Sequence, residues 1–302
     1  MSPASVTDLR FVGLAVPDLQ AERHFFGTLW GLTEAAEADG MVYFAAAGSP
    51  HHHVIRIRPN AVGMTDVIGF SAASRADVDS LAGQAVSAGG TLIHSPRPLA
   101  GPGGGYGFRF FDPDGHAIEV AAEVAERKPR DLHKGDSIPI GLSHIVLHSP
   151  QVAGLAAFYQ HGLGLRVSDW IADFMCFMRC NPAHHRFAIL PGAPALNHIA
   201  FDMLSVDEMM RGLARMIRSK VPLTWGPGRH TAGDNTFSYF MTPNGNQVEY
   251  TSDLELVDEA TWVPRIYPFT PEITDQWGTG QITGDRPHHA LPVDAGLWQV
   301  PA

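Results

Sequence analysis

The hydrophobic positions of this chain fall into short runs, and their period switches between strand-like and helix-like several times along the sequence. From Leu9 an apolar stretch, LRFVGLAV, is followed by the mixed segment PDLQAERHFFGTLWGL and by further short runs that end near His51–His53. Short apolar runs bounded by turn residues predict strands, and the 3.6-residue period between them predicts an amphipathic helix. A second unit opens at Val67 with a strand, continues through a helix from Arg75 to Ala88, and ends in the strand that contains Glu119. The turns Asp112-Pro113-Asp114-Gly115 and Thr242-Pro243-Asn244-Gly245 predict hairpins directly before each glutamate strand. No apolar run approaches the roughly 18 residues needed to span a bilayer.

The same series of elements then starts again. The segment LRFVGLAVPDLQAERHFFGTLWGL from Leu9 aligns with LSHIVLHSPQVAGLAAFYQHGLGL from Leu142 at an offset of 133. HHVIRIRP from His52 aligns with HHRFAILP from His184 at 132, VIGF from Val67 with HIAF from His198 at 131, and RFFDPDGHAIEV from Arg109 with YFMTPNGNQVEY from Tyr239 at 130. An offset that drifts by one residue per anchor is what two related domains show when they differ by single deletions in loops. The pattern therefore predicts an α+β protein of two domains, each made of two paired βαβββ modules. The expected domains are residues 1–128 and 140–255, with Pro129–Pro139 as linker and 256–302 as an extended tail wrapped over the second domain.

Composition narrows the partners. The chain has 302 residues, 45% of them hydrophobic, and 21 basic against 31 acidic side chains for a net charge of −10. That balance, with no Lys/Arg cluster, argues against a nucleic-acid surface and leaves a small molecule as the expected partner. Two cysteines, Cys176 and Cys180, are too few for a disulfide framework, and nothing at the start reads as a leader, so a cytoplasmic location without membrane association is expected.

Candidate chemistry emerges where the two halves disagree. His144 falls on Phe11 and His198 on Val67, whereas Glu249 has a counterpart in Glu119. A lone strand histidine is more often a satisfied core or surface residue than a ligand. Two at equivalent places in sister modules, with a glutamate on the closing strand, converge on one point when the sister strands pair. Two imidazoles and a carboxylate on one face of an ion form the arrangement of non-haem Fe(II) oxygenases and leave positions open. Structural zinc closes its shell with four ligands and usually recruits cysteine, which Cys176 and Cys180 are not spaced to provide. The first domain, lacking both histidines, is expected to be an empty copy.

These residues resemble the type I extradiol ring-cleaving dioxygenases of the vicinal oxygen chelate superfamily, the two-domain catechol and biphenyl-diol group, over about residues 5–255. The resemblance is carried by LSHIVLHSP, CNPAHHRFAIL, LNHIAFD, GPGRHTAGDNTFSYF and TPNGNQVEY in that order. It implies the paired-module vicinal oxygen chelate fold, Fe(II) with Mn(II) as the other ion the same ligands accept, an aromatic diol and O2 as substrates, and a homo-oligomer. Transferred residue by residue, it implies metal ligands His144, His198 and Glu249, an acid/base at His185, and substrate-contacting His230 and Tyr239. Asp234 is expected to orient His230. The HTAGD spacing is one residue longer than in close relatives, which leaves Tyr250 as the alternative to Tyr239. Val146, Phe174 and Phe177 are expected to touch the ring and Ile266, Tyr267 and Pro268 to form a lid; Arg179, Arg186 and Arg229 could meet a carboxylated substrate, but surface salt bridging is the role expected of each. The competing readings are the same chemistry on a hydroquinone or hydroxylated heterocycle, a metal-dependent lyase or isomerase of the glyoxalase kind, and a ligand-sequestering protein without catalysis.

Overall fold

The computed structural model describes residues 3–281 and 290–298. The first module comprises β1 (Val6–Val16), α1 (Leu19–His24), β2 (Thr33–Ala38), β3 (Met41–Ala45) and β4 (Ile55–Pro59). The second comprises β5 (Met64–Ala72), α2 (Arg75–Ser87), β6 (Thr91–Pro98), β7 (Tyr106–Phe111) and β8 (Ala117–Ala122). They share one sheet of order β2-β3-β4-β1-β5-β8-β7-β6, joined where β1 and β5 run antiparallel. The second half repeats this with β9 (Gly141–Ser149), α3 (Val152–Leu163), β10 (Arg166–Ile171), β11 (Met175–Arg179) and β12 (Phe187–Pro191). Its sister module has β13 (Ala195–Asp202), α4 (Val206–Arg218), β14 (Leu223–Arg229), β15 (Thr236–Met241) and β16 (Gln247–Ser252). The order β14-β15-β16-β13-β9-β12-β11-β10 again joins two modules through an antiparallel central pair, β9 and β13. The α+β architecture of four paired modules predicted from the repeat is the one observed.

Strand alternation sorts the side chains of these central strands. Ile145, Leu147, Ile199, Phe201, Val248 and Tyr250 point to the helix side and join a core cluster that runs without interruption into the first half. Helix α4 shows why its segment folds as it does: the Ser205 hydroxyl accepts from the Glu208 backbone N–H at its start, and Met209, Leu213 and Met216, three or four residues apart, are buried. At the seam between the halves Trp30 stacks on Tyr250 at 3.8 Å, and the Tyr250 hydroxyl donates to the Trp30 carbonyl at 2.9 Å. Burial of an aromatic residue this size contributes about 2–3 kcal/mol. Glu22, also buried, accepts from the side-chain amides of Asn244 and Asn246 across the same seam.

The tail follows the second half only in part. β17 (Arg265–Tyr267) adds to the edge strand β10 in parallel, and α5 (Pro271–Thr274) lies beyond it. Further on, β18 (Leu291–Pro292) pairs with β13, Thr65 donates to the Leu291 carbonyl, and the Trp298 indole donates to the Asp66 carbonyl. Beyond its contacts with the second half, the end of the tail also reaches the first, where three guanidiniums (Arg56, Arg58 and Arg109) lie over the Trp298 ring.

In the first half the place corresponding to the candidate ligands is filled by protein. Phe11 sits opposite Gly69, which sits opposite Glu119. A Cβ at Gly69 would fall 2.2 Å from the Phe11 ring, so the ring occupies the space directly above the backbone there. Glu119 is ion-paired with Arg10 and Arg109. Burial alone would raise its carboxyl, but Arg109, Arg10 and Arg56 outweigh it and hold the group at about 2. Because this folded value lies below the ordinary 4.5, the stabilisation is complete above about pH 4.5 and is lost as pH falls toward about 2. Glu119→Gln, which leaves buried guanidiniums unpaired, is expected to cost about 3–5 kcal/mol in urea unfolding at neutral pH. The difference from wild type should shrink across that acid window, and a pH-independent gap would mean that the ion pairs do not matter.

Candidate active site

Three strands bring the candidate ligands together. His144 on β9 lies opposite Ala200 on β13, and Ala200 lies opposite Glu249 on β16. His198 is two residues before Ala200 and so shares its face. The short Ala200 side chain thus sits between three long ones. The Nε2 atoms of His144 and His198 lie 3.3 and 3.2 Å from the same oxygen, Oε2 of Glu249, and all three side chains are buried. Two ligands at about 2.1 Å from a shared ion and at right angles are about 3 Å apart, so each histidine is spaced from the carboxylate as neighbouring ligands of one ion would be.

The polar atoms are also prepared for one. Neither Glu249 oxygen nor Nε2 of His198 has a hydrogen bond of acceptable geometry, although all three are fully buried. Such atoms are costly unless something else binds them. The far nitrogens are committed: Nδ1 of His198 donates to Asn197 Oδ1 at 2.6 Å, and Nδ1 of His144 lies 3.2 Å from the Ser143 hydroxyl. The His198 contact favours a lone pair on Nε2, the form a metal requires, and the Ser143 hydroxyl can accept from His144 Nδ1 to the same effect. Burial would raise the Glu249 carboxyl, but its two imidazole neighbours outweigh it and keep the group ionised; burial lowers His198 toward the neutral form. A divalent ion fits this donor set. Among the described residues the group stops at three. By the repeat, the position that would offer a fourth carboxylate is Ala188, which faces Val146 as Glu249 faces Ala200. Cys176 and Cys180 are buried, with burial pushing both thiols up to about 12, and take no part.

The open side of the triad faces a cavity of about 430 Å³. Val146, Phe174 and Phe177 line it, as do His185, His230 and Tyr239. His185 stands beside His144 with ring centroids 4.3 Å apart, and burial among other imidazoles lowers it well below the ordinary histidine range. His184 faces away to Asp169. Tyr239, paired with Glu249 across β15 and β16, has its hydroxyl 3.1 Å from His230 Nε2. Tyr250 is in the core against Trp30 and is not among the residues that line the cavity.

Two expectations are corrected. Asp234 does not orient His230: its exposed carboxylate binds Arg229 and Gln276, and Nδ1 of His230 instead donates to the Thr274 carbonyl at 2.6 Å. The residue has a positive φ of 51°, and the loop turns its side chain outward. The roof is not formed by Ile266, which is 76% exposed, but by Phe269, Ile273 and Thr274. Arg179, Arg186 and Arg229 form the expected salt bridges, with Glu259, Asp202 and Asp253 respectively, and none lines the cavity. Trp225, Asn197 and Gln247 also line it and had no signal in the sequence beyond ordinary strand positions.

The profile of the Glyoxalase/Bleomycin resistance protein/Dioxygenase superfamily matches residues 9–120 and 141–250, one match per half. The chain is 27% identical to metapyrocatechase 2 of Cupriavidus necator over 91% of this chain and 89% of that one. It is 28% identical to the biphenyl-2,3-diol 1,2-dioxygenase of Paraburkholderia xenovorans over 86% and 91%. Among solved structures, a Mn(II)-bound glyoxalase from Novosphingobium aromaticivorans is 48% identical, covers 98% of both chains and superposes with a TM-score of 0.93. With its duplicated paired modules and its buried His/His/Glu face, this chain belongs to the Glyoxalase/Bleomycin resistance protein/Dioxygenase superfamily and stands in it beside the extradiol ring-cleaving dioxygenases.

Proposed function

We propose that this protein cleaves the ring of a catechol-type diol beside one hydroxyl, using O2 and one Fe(II) held by His144, His198 and Glu249, with Mn(II) as the alternative ion. The observation that carries the reading is the vacant hemisphere of the triad, where Ala188 offers no fourth ligand and an aromatic-lined cavity begins. A bound dication there would supply a Lewis-acid centre that acidifies a chelating hydroxyl and keeps a position for O2. The protein residues do the rest. Because the Thr274 carbonyl takes the Nδ1–H of His230, Nε2 is left to accept from the Tyr239 hydroxyl. The Tyr239 oxygen can then accept from the diol, and the pair can take up its proton. His185, kept neutral by its surroundings, stands on the other side of His144 as a second proton acceptor and later donor. Phe174, Phe177 and Phe269 hold the ring by apolar contact.

The cavity also bears on the substrate. Among its described lining residues there is no lysine or arginine, which favours an uncharged alkyl- or aryl-substituted diol over a carboxylated one. The resemblance to extradiol enzymes also carries the expectation of a cytoplasmic homo-oligomer. Among the described residues no helix is long and apolar enough to cross a membrane. A second reading, metal-dependent isomerisation or lysis, is favoured by the glyoxalase named above. Anaerobic loading with Fe(II) or Mn(II), then O2 uptake with alkyl-, aryl- and carboxyl-substituted catechols and a hydroquinone, tests the first. A yellow ring-opened product with matching O2 consumption is the expected outcome. Turnover of a thiol hemithioacetal without O2 would replace this reading by the second.

A further inference from the structure

We propose that Asp169 and His184 are positioning residues that fix the tautomer of His185, so that its Nε2 enters the cavity as a hydrogen-bond acceptor. The catalytic consequence rests on the function proposed above; the tautomer does not. Asp169, on β10, has a wholly buried side chain, and its Oδ2 lies 2.9 Å from His184 Nε2. The backbone N–H of Arg265 donates to its Oδ1 at 2.7 Å, and the Arg265 guanidinium lies 2.9 Å from Oδ2. A carboxylate so held only accepts, which obliges His184 to present Nε2–H. In the neutral form of His184 that N–H is the only one, so its Nδ1 is a lone pair and Nδ1 of His185, 3.0 Å away, is the donor; a doubly protonated His184 would reverse the contact and give His185 the opposite tautomer. With His184 neutral, the single N–H of His185 is thereby used, and Nε2 carries the lone pair.

Two further observations support the assignment. Gly233, at φ +84°, packs against the pair so closely that a Cβ would lie 3.0 Å from His184 Nδ1 and 3.2 Å from His185 Cε1, which leaves the rings little room to turn. The first half supplies an internal comparison. His52 and His53 keep the same Nδ1 to Nδ1 contact, at 3.2 Å, but the counterpart of Asp169 is Ala36: Asp169 faces Phe177 across β10 and β11, and Ala36 faces Tyr43 across β2 and β3. The carboxylate occurs only in the half that also has His144 and His198. In this arrangement His185 first takes a proton from a diol hydroxyl at Nε2, and only then has one to return.

Long-range 1H–15N correlation spectra of the full chain loaded with diamagnetic Zn(II), with His185→Gln to assign the resonance, read the tautomer directly. The expected result is a protonated Nδ1 and an unprotonated Nε2 in wild type, and a mixed or inverted pattern in Asp169→Asn. In the Fe(II) protein, Asp169→Asn and His184→Gln should each lower kcat about ten- to a hundredfold with KM and metal content unchanged, and the double variant should lose no more than either alone. An Nε2–H tautomer in wild type, an unchanged tautomer in Asp169→Asn, or kcat losses that track lost metal would each overturn the proposal. If no diol is turned over at all, the functional reading fails while the spectra still decide the tautomer.

Discussion

With His144 replaced by alanine, the purified protein is expected to emerge folded but nearly free of iron or manganese, and to turn over any diol at least a thousandfold more slowly. His144 contributes one of three donor atoms, and the two that remain, His198 and Glu249, are too few to hold a labile dication against water. A thousandfold loss corresponds to about 4 kcal/mol of activation free energy. Alanine is the right probe because it does not refill the space. A phenylalanine would imitate Phe11, but Phe11 lies over Gly69 whereas His144 lies opposite Ala200, whose Cβ would meet the ring. Elemental analysis, a thermal melt and O2 uptake on one preparation separate the outcomes. A normal metal content would show that His144 is not a ligand.

The second large effect is expected at His185, where alanine should leave the metal in place and lower kcat about a hundred- to ten-thousandfold, the usual range for loss of a positioned acid or base. The residue lies beside the triad and not within it: its ring is 4.3 Å from that of His144, and it is outside the group of converging donor atoms. Diol binding under anaerobic conditions should survive, since Phe174, Phe177 and Tyr239 remain. Loss of metal from this variant would instead make His185 a ligand and would require a different account of the open hemisphere.

Much of the site could be read from the chain because it is built from repeated strands. Once Leu142 is aligned with Leu9, strand alternation places His144, His198 and Glu249 on one face, and the structure brings their donor atoms within 4.8 Å of one another. The choice of Tyr239 over Tyr250 comes from the resemblance alone and is left open by the loop spacing; in the structure Tyr239 lines the cavity and Tyr250 packs on Trp30. Contacts made by chance of loop path were not readable. His230 depends on Thr274, and Asp169 on both His184 and Arg265, through hydrogen bonds between residues far apart in sequence whose partners carry no periodic signal. The expectation for Asp234 failed for the converse reason, because closeness along a loop says little about direction once the backbone turns to positive φ. The roof was placed a few residues too early for lack of any pattern in the Pro- and Gly-rich tail.

The seam at Trp30 and Tyr250 has a bearing on the ancestry written in the duplication. A single ancestral domain would have presented this face to water or to a second copy of itself; here the two copies have become specialised, one with Trp30 and Glu22, the other with Tyr250, Asn244 and Asn246. The half without the triad thus covers the aromatic flank of the half that carries it, and excising it would expose Tyr250, Asn244 and Asn246 to water.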